Sequence, residues 1–436
     1  METRKIRVSN VCDINLKSLK GKKIPNKIFY LDTGSITKNI IYKIQNLSLK
    51  ISSYPSRAKR IVKKNTILYS SVRPIQEHHG ILINPEENLI VSTGFITLDI
   101  NKENQNKIDP KFFYHCLTRK NITNHLHRIA VNNVTSYPSI SPEDLGEIEF
   151  EIPKDIQYQK KISNLLSIYD DKINTNNKII SEIDNFSKTL FSYWFLQFDF
   201  PDIGKKPYKS NGGEMVWNAT LKKNIPSNWN VEKLKNIIKE DKNGDWGKDK
   251  PEKNYSKKVI CIRGSDINGL DGIEELKPPI RFISDKKQNN LLEEFDIMIE
   301  MSGGSPTQST GRINLISNKT LNRFNLPIIC SNFCKPISIK KDKYVYYFLF
   351  LWKFLYEQNT FFKFEGKTSG IKNLLFDIFV DTCPYLTPSE ELIEIFFNAM
   401  HKHEYTKQSL IAEIAELNLV RDELFILLIN GQARIE

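Results

Sequence analysis

The sequence predicts an α+β fold that is built twice over. A heptad stripe near the middle of the 436-residue chain returns at the C-terminus, with Met400 answering to Leu166 and Leu424 to Leu190. Strand-like and helix-like stretches are mixed in each half without regular βαβ alternation. Net positive charge gathers in two long segments and is absent from the segments that carry the two stripes.

The first domain is expected over residues 1–153. Residues 65–72 (NTILYSSV) read as a strand entering a loop, and a polar loop with Arg73 follows at 73–80. A second strand is expected at 89–100 and an aromatic helix at 112–117. A polar loop and a short apolar stretch then lead to Pro153. A helix begins near Asp155, directly after that proline, and is assigned to residues 154–198. If continuous it is roughly 65 Å long at 1.5 Å per residue. Residues 199–224 are rich in Pro, Gly and Lys, without periodicity, and read as a linker.

The second domain, 225–387, repeats this order. Residues 295–302 match 65–72, and the loop 303–312 matches 73–80. A strand at 327–339 and an aromatic helix at 344–355 follow. The last helix is assigned to 388–436, with Glu390 and Glu391 at its positive dipole end and Gly431 as its stop.

The helix-pairing stripe is expected at Leu166, Tyr169, Ile173, Ile180, Ile183 and Leu190, continuing to Trp194. Its counterpart is expected at Met400, Leu410, Ile414, Leu417 and Leu424, continuing to Leu428. Steps of three and four residues put such a stripe on one helix face. Asn176 and Ser187 interrupt the first stripe, and His403, Lys407 and Arg421 the second. Polar residues there either fix register and partner choice or face water where the helices are short. Two similar halves ending in paired helices fit a pseudo-twofold arrangement, and double-stranded DNA is the commonest target of that symmetry.

The charge pattern agrees. Of the net +12, residues 1–150 hold an excess of ten positive charges and 201–380 of nine. Residues 151–200 carry one negative charge in excess and 381–436 six. Clustered positive charge is the footprint of phosphate binding, because neutralised phosphates release counterions; a generic basic surface is the alternative. No apolar run reaches membrane-span length and no signal-peptide core opens the chain, so a cytoplasmic location is expected. Cys12, Cys116, Cys261, Cys330, Cys334 and Cys383 lack paired spacing and read as reduced and buried.

The search for chemistry returns little. There is no GxxxxGK[ST] loop, no GxGxxG and no Asn-Pro-Pro-aromatic or Asp-Pro-Pro-aromatic tetrapeptide. His78-His79, His125/His127 and His401/His403 lack partners at zinc spacing, and Glu365-Gly366-Lys367 has no acidic partner upstream. No catalytic or metal-binding residue is therefore assigned. The richest loop is 303–312 (GGSPTQSTGR). Its glycines allow close backbone approach, and Arg312 can reach a phosphate or a guanine edge. Candidate nucleic-acid contacts are Arg73, Asn132, Asn133 and Thr135 in the first half. In the second they are Arg263, Ser302, Gly303, Gly304, Gln308, Thr310, Arg312, Lys367 and Thr368. Plain surface loops are the alternative for the stretches around Asn132 and Lys367.

These residues together resemble the specificity subunit of type I restriction-modification enzymes. The most specific stretches are 141–195 (SPEDLGEIEFEIP…QKKISNLLSIYDDKI…LFSYWF) and 208–234 (YKSNGGEMVWN…IPSNWNVEKL). Residues 259–266 (VICIRGSD) and 300–312 (EMSGGSPTQSTGR) resemble one recurrent type of second target-recognition domain. The resemblance implies two target-recognition domains, held apart by two long antiparallel helices that act as a ruler for an unread DNA spacer. It implies a non-catalytic chain that recruits two modification (methyltransferase) subunits and restriction (motor-nuclease) subunits. The cofactor, S-adenosylmethionine, would sit on the modification subunit and none in this chain. The C-terminal helix lacks the Gln-Lys-Lys-Ile and Asp-Asp-Lys-Ile runs of the first, at Gln159–Ile162 and Asp170–Ile173. A fused or type II-like nuclease acting alone and a protein-only scaffold are the alternatives.

Overall fold

A computed structural model describes residues 2–19, 25–48, 53–132, 137–273, 276–305, 307–368 and 371–435. The chain divides into two units, one of residues 1–174 with 416–436 and the other of residues 175–415.

In the first unit, Thr3–Arg7 pairs antiparallel with Glu149–Pro153, so the first strand closes on the strand that precedes the helix. An antiparallel sheet runs in the order Cys12–Ile14, Phe95–Ile100, Thr66–Ser70, His79–Leu82. Every residue of Thr66–Ser70 is buried, which is why its sequence reads as a continuous apolar run. A second sheet runs Gln45–Ser48, Lys27–Leu31, Leu89–Ser92, Ala58–Ile61, and its middle pair is parallel. Helix Pro110–Leu117 starts at Asp109, whose carboxylate accepts from the Phe112 N–H at 2.8 Å, with proline in the first turn.

The second unit repeats this topology. Asn230–Lys233 pairs with Pro384–Thr387 as the closing ribbon. The antiparallel sheet runs Ile238–Asp241, Cys334–Ile339, Ile297–Glu300, Ile313–Leu315. The other sheet has three strands, Ile280–Ile283, Lys257–Ile262 and Ile328–Cys330, and again contains a parallel pair, Lys257–Ile262 with Ile328–Cys330, here at its edge. Helix Val345–Glu357 takes the place of Pro110–Leu117 and buries Trp352 against Phe361 and Phe379.

Three expectations are corrected. The stretches 89–100 and 327–339 are each two strands, Leu89–Ser92 with Phe95–Ile100 and Ile328–Cys330 with Cys334–Ile339. In both units a short turn carries the chain from the parallel pair to the antiparallel sheet. Apolar periodicity alone does not show such a break, because both strands are buried. The stretch 199–224 is not a free linker. Met215–Asn218 and Lys223–Pro226 form a hairpin, and Phe200 is buried, stacked on Trp229 at 5.1 Å.

The long helices are Ile156–Phe191, ending in one π-turn at Ser192–Leu196, and Glu390–Ile429. Leu166, Ile173, Ile180 and Met400 are buried in the seam, and Tyr169, Ile183 and Leu190 are half-buried. On the second helix the phase differs from the expected one. Ile411 and Phe425 are buried, while Leu410, Ile414, Leu417 and Leu424 are only half-buried. Two consecutive four-residue steps, His403 to Lys407 to Ile411, move the stripe on by one position.

The polar seam residues face the opposite helix and not water. In the second unit the Asn176 amide donates to Glu413 at 2.9 Å, Ser187 meets His403 at 3.0 Å, and Lys407 donates to Asp184 at 3.1 Å. In the first unit Arg421 donates to Asp170 at 2.7 Å. Rising numbers on one helix meet falling numbers on the other, so the pairing is antiparallel within each unit.

Candidate nucleic-acid interface

The loop after Ile297–Glu300 is built by glycines. Gly303 and Gly304 have φ of +147° and +75°, in the region a side chain strongly disfavours. A Cβ on Gly303 would lie 2.7 Å from the Glu300 carboxylate. The Arg312 guanidinium binds that carboxylate through two hydrogen bonds, at 2.9 and 2.6 Å. Glu300 is 2% exposed and the Arg312 side chain 19%, so this is a largely buried ion pair at the base of the loop.

Arg263 follows strand Lys257–Ile262 and is held by Asp266, with Nε and Nη2 at 2.8 and 2.9 Å. Its second Nη2 contact is the Lys277 carbonyl at 3.0 Å. The hydrogen bonds to Asp266 raise its already high pKa, so it carries a fixed positive charge.

These residues share one cleft of about 510 Å³. Five of the expected contacts line it: Arg263, Ser302, Gly303, Gly304 and Arg312. Trp246, Asn332 and Phe333 line it too, and the sequence reading missed them. A lone tryptophan in a charged stretch (KNGDWGKDK) was the available signal.

The other expected contacts fare differently. Thr310 is fully buried and gives its N–H and hydroxyl to Glu365 at 2.8 and 3.3 Å, so it braces the loop and cannot meet a ligand. Gln308 is exposed at the loop tip. Lys367 and Thr368 lie on strand Glu365–Thr368, but their side chains are outside the described residues. In the first unit Arg73 is exposed, with φ of +47°, and its guanidinium lies 5.5 Å from the Tyr137 ring. Its N–H is tied to the Pro138 carbonyl at 2.9 Å, which fixes the backbone that presents it. Asn132 ends helix Lys120–Asn132 and is exposed; Asn133 and Thr135 lie outside the described residues.

Burial pushes the Cys116, Cys261 and Cys334 thiols up to about 12. Among the described residues no cluster of His, Cys, Asp or Glu could hold a metal, and no helix is long and apolar enough to cross a membrane.

Residues 2–185 match the family model of the type I restriction modification DNA specificity domain. The chain is 26% identical over 392 residues to the type I restriction enzyme MjaIX specificity subunit of Methanocaldococcus jannaschii, across 86% of this chain and 79% of that one. It is 30% identical over 175 residues to the HindI specificity subunit of Haemophilus influenzae, a match that spans 40% of this chain and only 37% of the relative. The S subunit of a type I restriction-modification system from M. genitalium shares the fold, with a TM-score of 0.52, 17% identity, and coverage of 98% of this chain and 96% of that one. The chain is thus similar to type I restriction-modification specificity subunits, over residues 2–185 in the family match and over 392 residues in the M. jannaschii relative.

Proposed function

We propose that this chain reads a split, asymmetric site in double-stranded DNA, one half with each unit, and performs no chemistry itself. One observation carries the reading: two units whose antiparallel sheets share one strand order present different residues at matching loops, Arg73 in one and the glycine loop with Arg312 in the other. Equivalent scaffolds with different loops suit two half-sites of different sequence. The basic charge of both domains supplies the phosphate attraction that positions them.

In this reading two modification subunits join the chain, bring S-adenosylmethionine, and methylate adenine in each half-site. Restriction subunits complete the assembly. The paired helices set the length of the unread spacer. The nuclease alternative gains no support from the relatives, each of which is a specificity subunit. Methylome sequencing of a host that carries this chain with its modification subunit tests the reading. N6-methyladenine is expected at a split motif that disappears when this chain is deleted. A continuous motif, or one that survives the deletion, overturns it.

A further inference from the structure

The cleft of the second unit holds more than a phosphate contact needs. Trp246 is 38% exposed and Phe333 50% exposed, and both line it. The Trp246 ring is fixed from behind by the Arg281 guanidinium, 4.3 Å from the ring centre. Arg281 is itself buried and bonded to the Trp246 carbonyl at 2.8 Å and to the Asp249 carboxylate. Such a ring cannot fold away when the cleft is empty.

The loop that carries Phe333 is equally fixed. Its carbonyl accepts the N–H groups of Met301 and Ser302 at 2.8 and 3.2 Å, and Ser331 N–H donates to Ile262 at 2.8 Å. Asp245 N–H donates to the Cys330 carbonyl at 2.8 Å, which ties the Trp246 segment to the Phe333 loop. The Trp246 ring and the backbone that carries Phe333 are therefore held before any ligand arrives.

Between them the cleft offers polar groups. Asn332 is exposed and presents both a donor and an acceptor, and Arg263 brings a fixed positive charge. Stacking surfaces with an amide and a cation at the edge match a flat group that is apolar on its faces and polar at its rim. A nucleobase has that chemistry, whereas an aliphatic side chain would leave the exposed Asn332 amide unmatched. A base that stays stacked presents only its edge to a protein. A concave site walled by rings is filled only by a base that has left the stack.

Resting on the DNA-reading proposal above, we infer that this cleft receives one base turned out of the duplex at the second half-site, stacked on Trp246 or Phe333 and read at its edge by Asn332. This makes the aromatic cleft, and not the Arg312 loop alone, a specificity determinant of that half-site.

The test uses the full chain assembled with its modification subunits and a duplex carrying the motif found by methylome sequencing. 2-Aminopurine, which fluoresces when unstacked, replaces each base of the second half-site in turn, except the adenine that is methylated. At one position the fluorescence is expected to rise several-fold on binding. Phe333→Ala and Trp246→Leu should remove that rise and weaken binding to the motif roughly 5- to 150-fold, the range for losing one stacked base. If DNA binds and no position brightens, the inference is overturned and the DNA-reading proposal stands. If no motif-dependent binding occurs at all, the DNA-reading proposal itself falls. Variants that lose the modification subunits while keeping DNA affinity make the cleft a protein contact and also overturn the inference. The scan of the unaltered protein decides even where a variant fails to fold.

Discussion

The Lys407 ammonium lies 2.7 Å from the Asp271 carboxylate, which joins the C-terminal helix to the recognition fold of the second unit. Lys407 is 3% exposed and also reaches Asp184 on the central helix at 3.1 Å. Burial alone would raise the Asp271 pKa, but the ammoniums of Lys353 and Lys407 outweigh it and hold the group well below the usual carboxylate range. One side chain thus fixes the helix seam and the domain together. Lys407→Ala should destabilise the second unit by about 3–5 kcal/mol, since it leaves buried carboxylates uncompensated. Adding Asp271→Asn should recover part of that loss. Thermal or denaturant unfolding of the full chain measures both.

Arg312 is expected to act through Glu300. Arg312→Ala strands a buried carboxylate and should cost about 3–5 kcal/mol of stability. Glu300→Gln in the same chain should return much of it. Methylome mapping of the double variant then separates support from contact. A relaxed second half-motif in the stable double variant marks Arg312 as a DNA contact, whereas an unchanged motif marks it as a brace.

Two histidines give the first unit a pH dependence. Burial lowers His79 to about 3 and His115 to about 4, with the nearby Asp170 carboxylate opposing the shift at His115. Both are neutral when folded and take up a proton on unfolding below their ordinary value of about 6.5. Their stabilisation is therefore complete above pH 6.5 and is lost as pH falls towards 4. Each contributes a slope of about 1.4 kcal/mol per pH unit across that window. Unfolding midpoints between pH 7.5 and 4.5 should fall accordingly, and His115→Gln should flatten the decline.

Spacer length is expected to follow the helices. Four residues inserted beside Asn176, whose amide meets Glu413, add about 6 Å, or one to two base pairs at about 3.4 Å each. The added turn is not a whole number of 3.6-residue repeats, so some activity should be lost through rotation. Motif mapping should show a longer gap between unaltered half-motifs. An active variant with the original spacer contradicts the ruler.

Local periodicity made the architecture readable. Strands such as Thr66–Ser70 and Ile297–Glu300, the aromatic helices and both long helices announce themselves through runs and stripes. What stayed hidden depends on pairing across the fold. The breaks at Thr93–Gly94 and Ser331–Phe333 lie inside apolar stretches, and only the change of sheet reveals them. The helix phase past Lys407 turned on one four-residue step too many. The same holds for the cleft. Arg263, Arg312 and the glycines were found because charge and glycine are conspicuous, but Trp246, Asn332 and Phe333 come from segments 86 residues apart that meet only in three dimensions. The bracing role of Thr310 stayed hidden because its partner, Glu365, lies 55 residues away in sequence.

The make-up of the first unit bears on how the protein is synthesised. Phe425, Leu428 and Ile429 belong to the same buried cluster as Phe112, Leu166 and Phe150. The N-terminal domain therefore waits, with part of its core open to water, until the last helix leaves the ribosome. The second unit, continuous from Thr175 to Ala415, has all its parts earlier. At about 5–20 residues per second the gap between emergence of residue 174 and of the last helix is on the order of ten seconds to a minute. During that interval the unfinished domain is the segment that chaperones must guard.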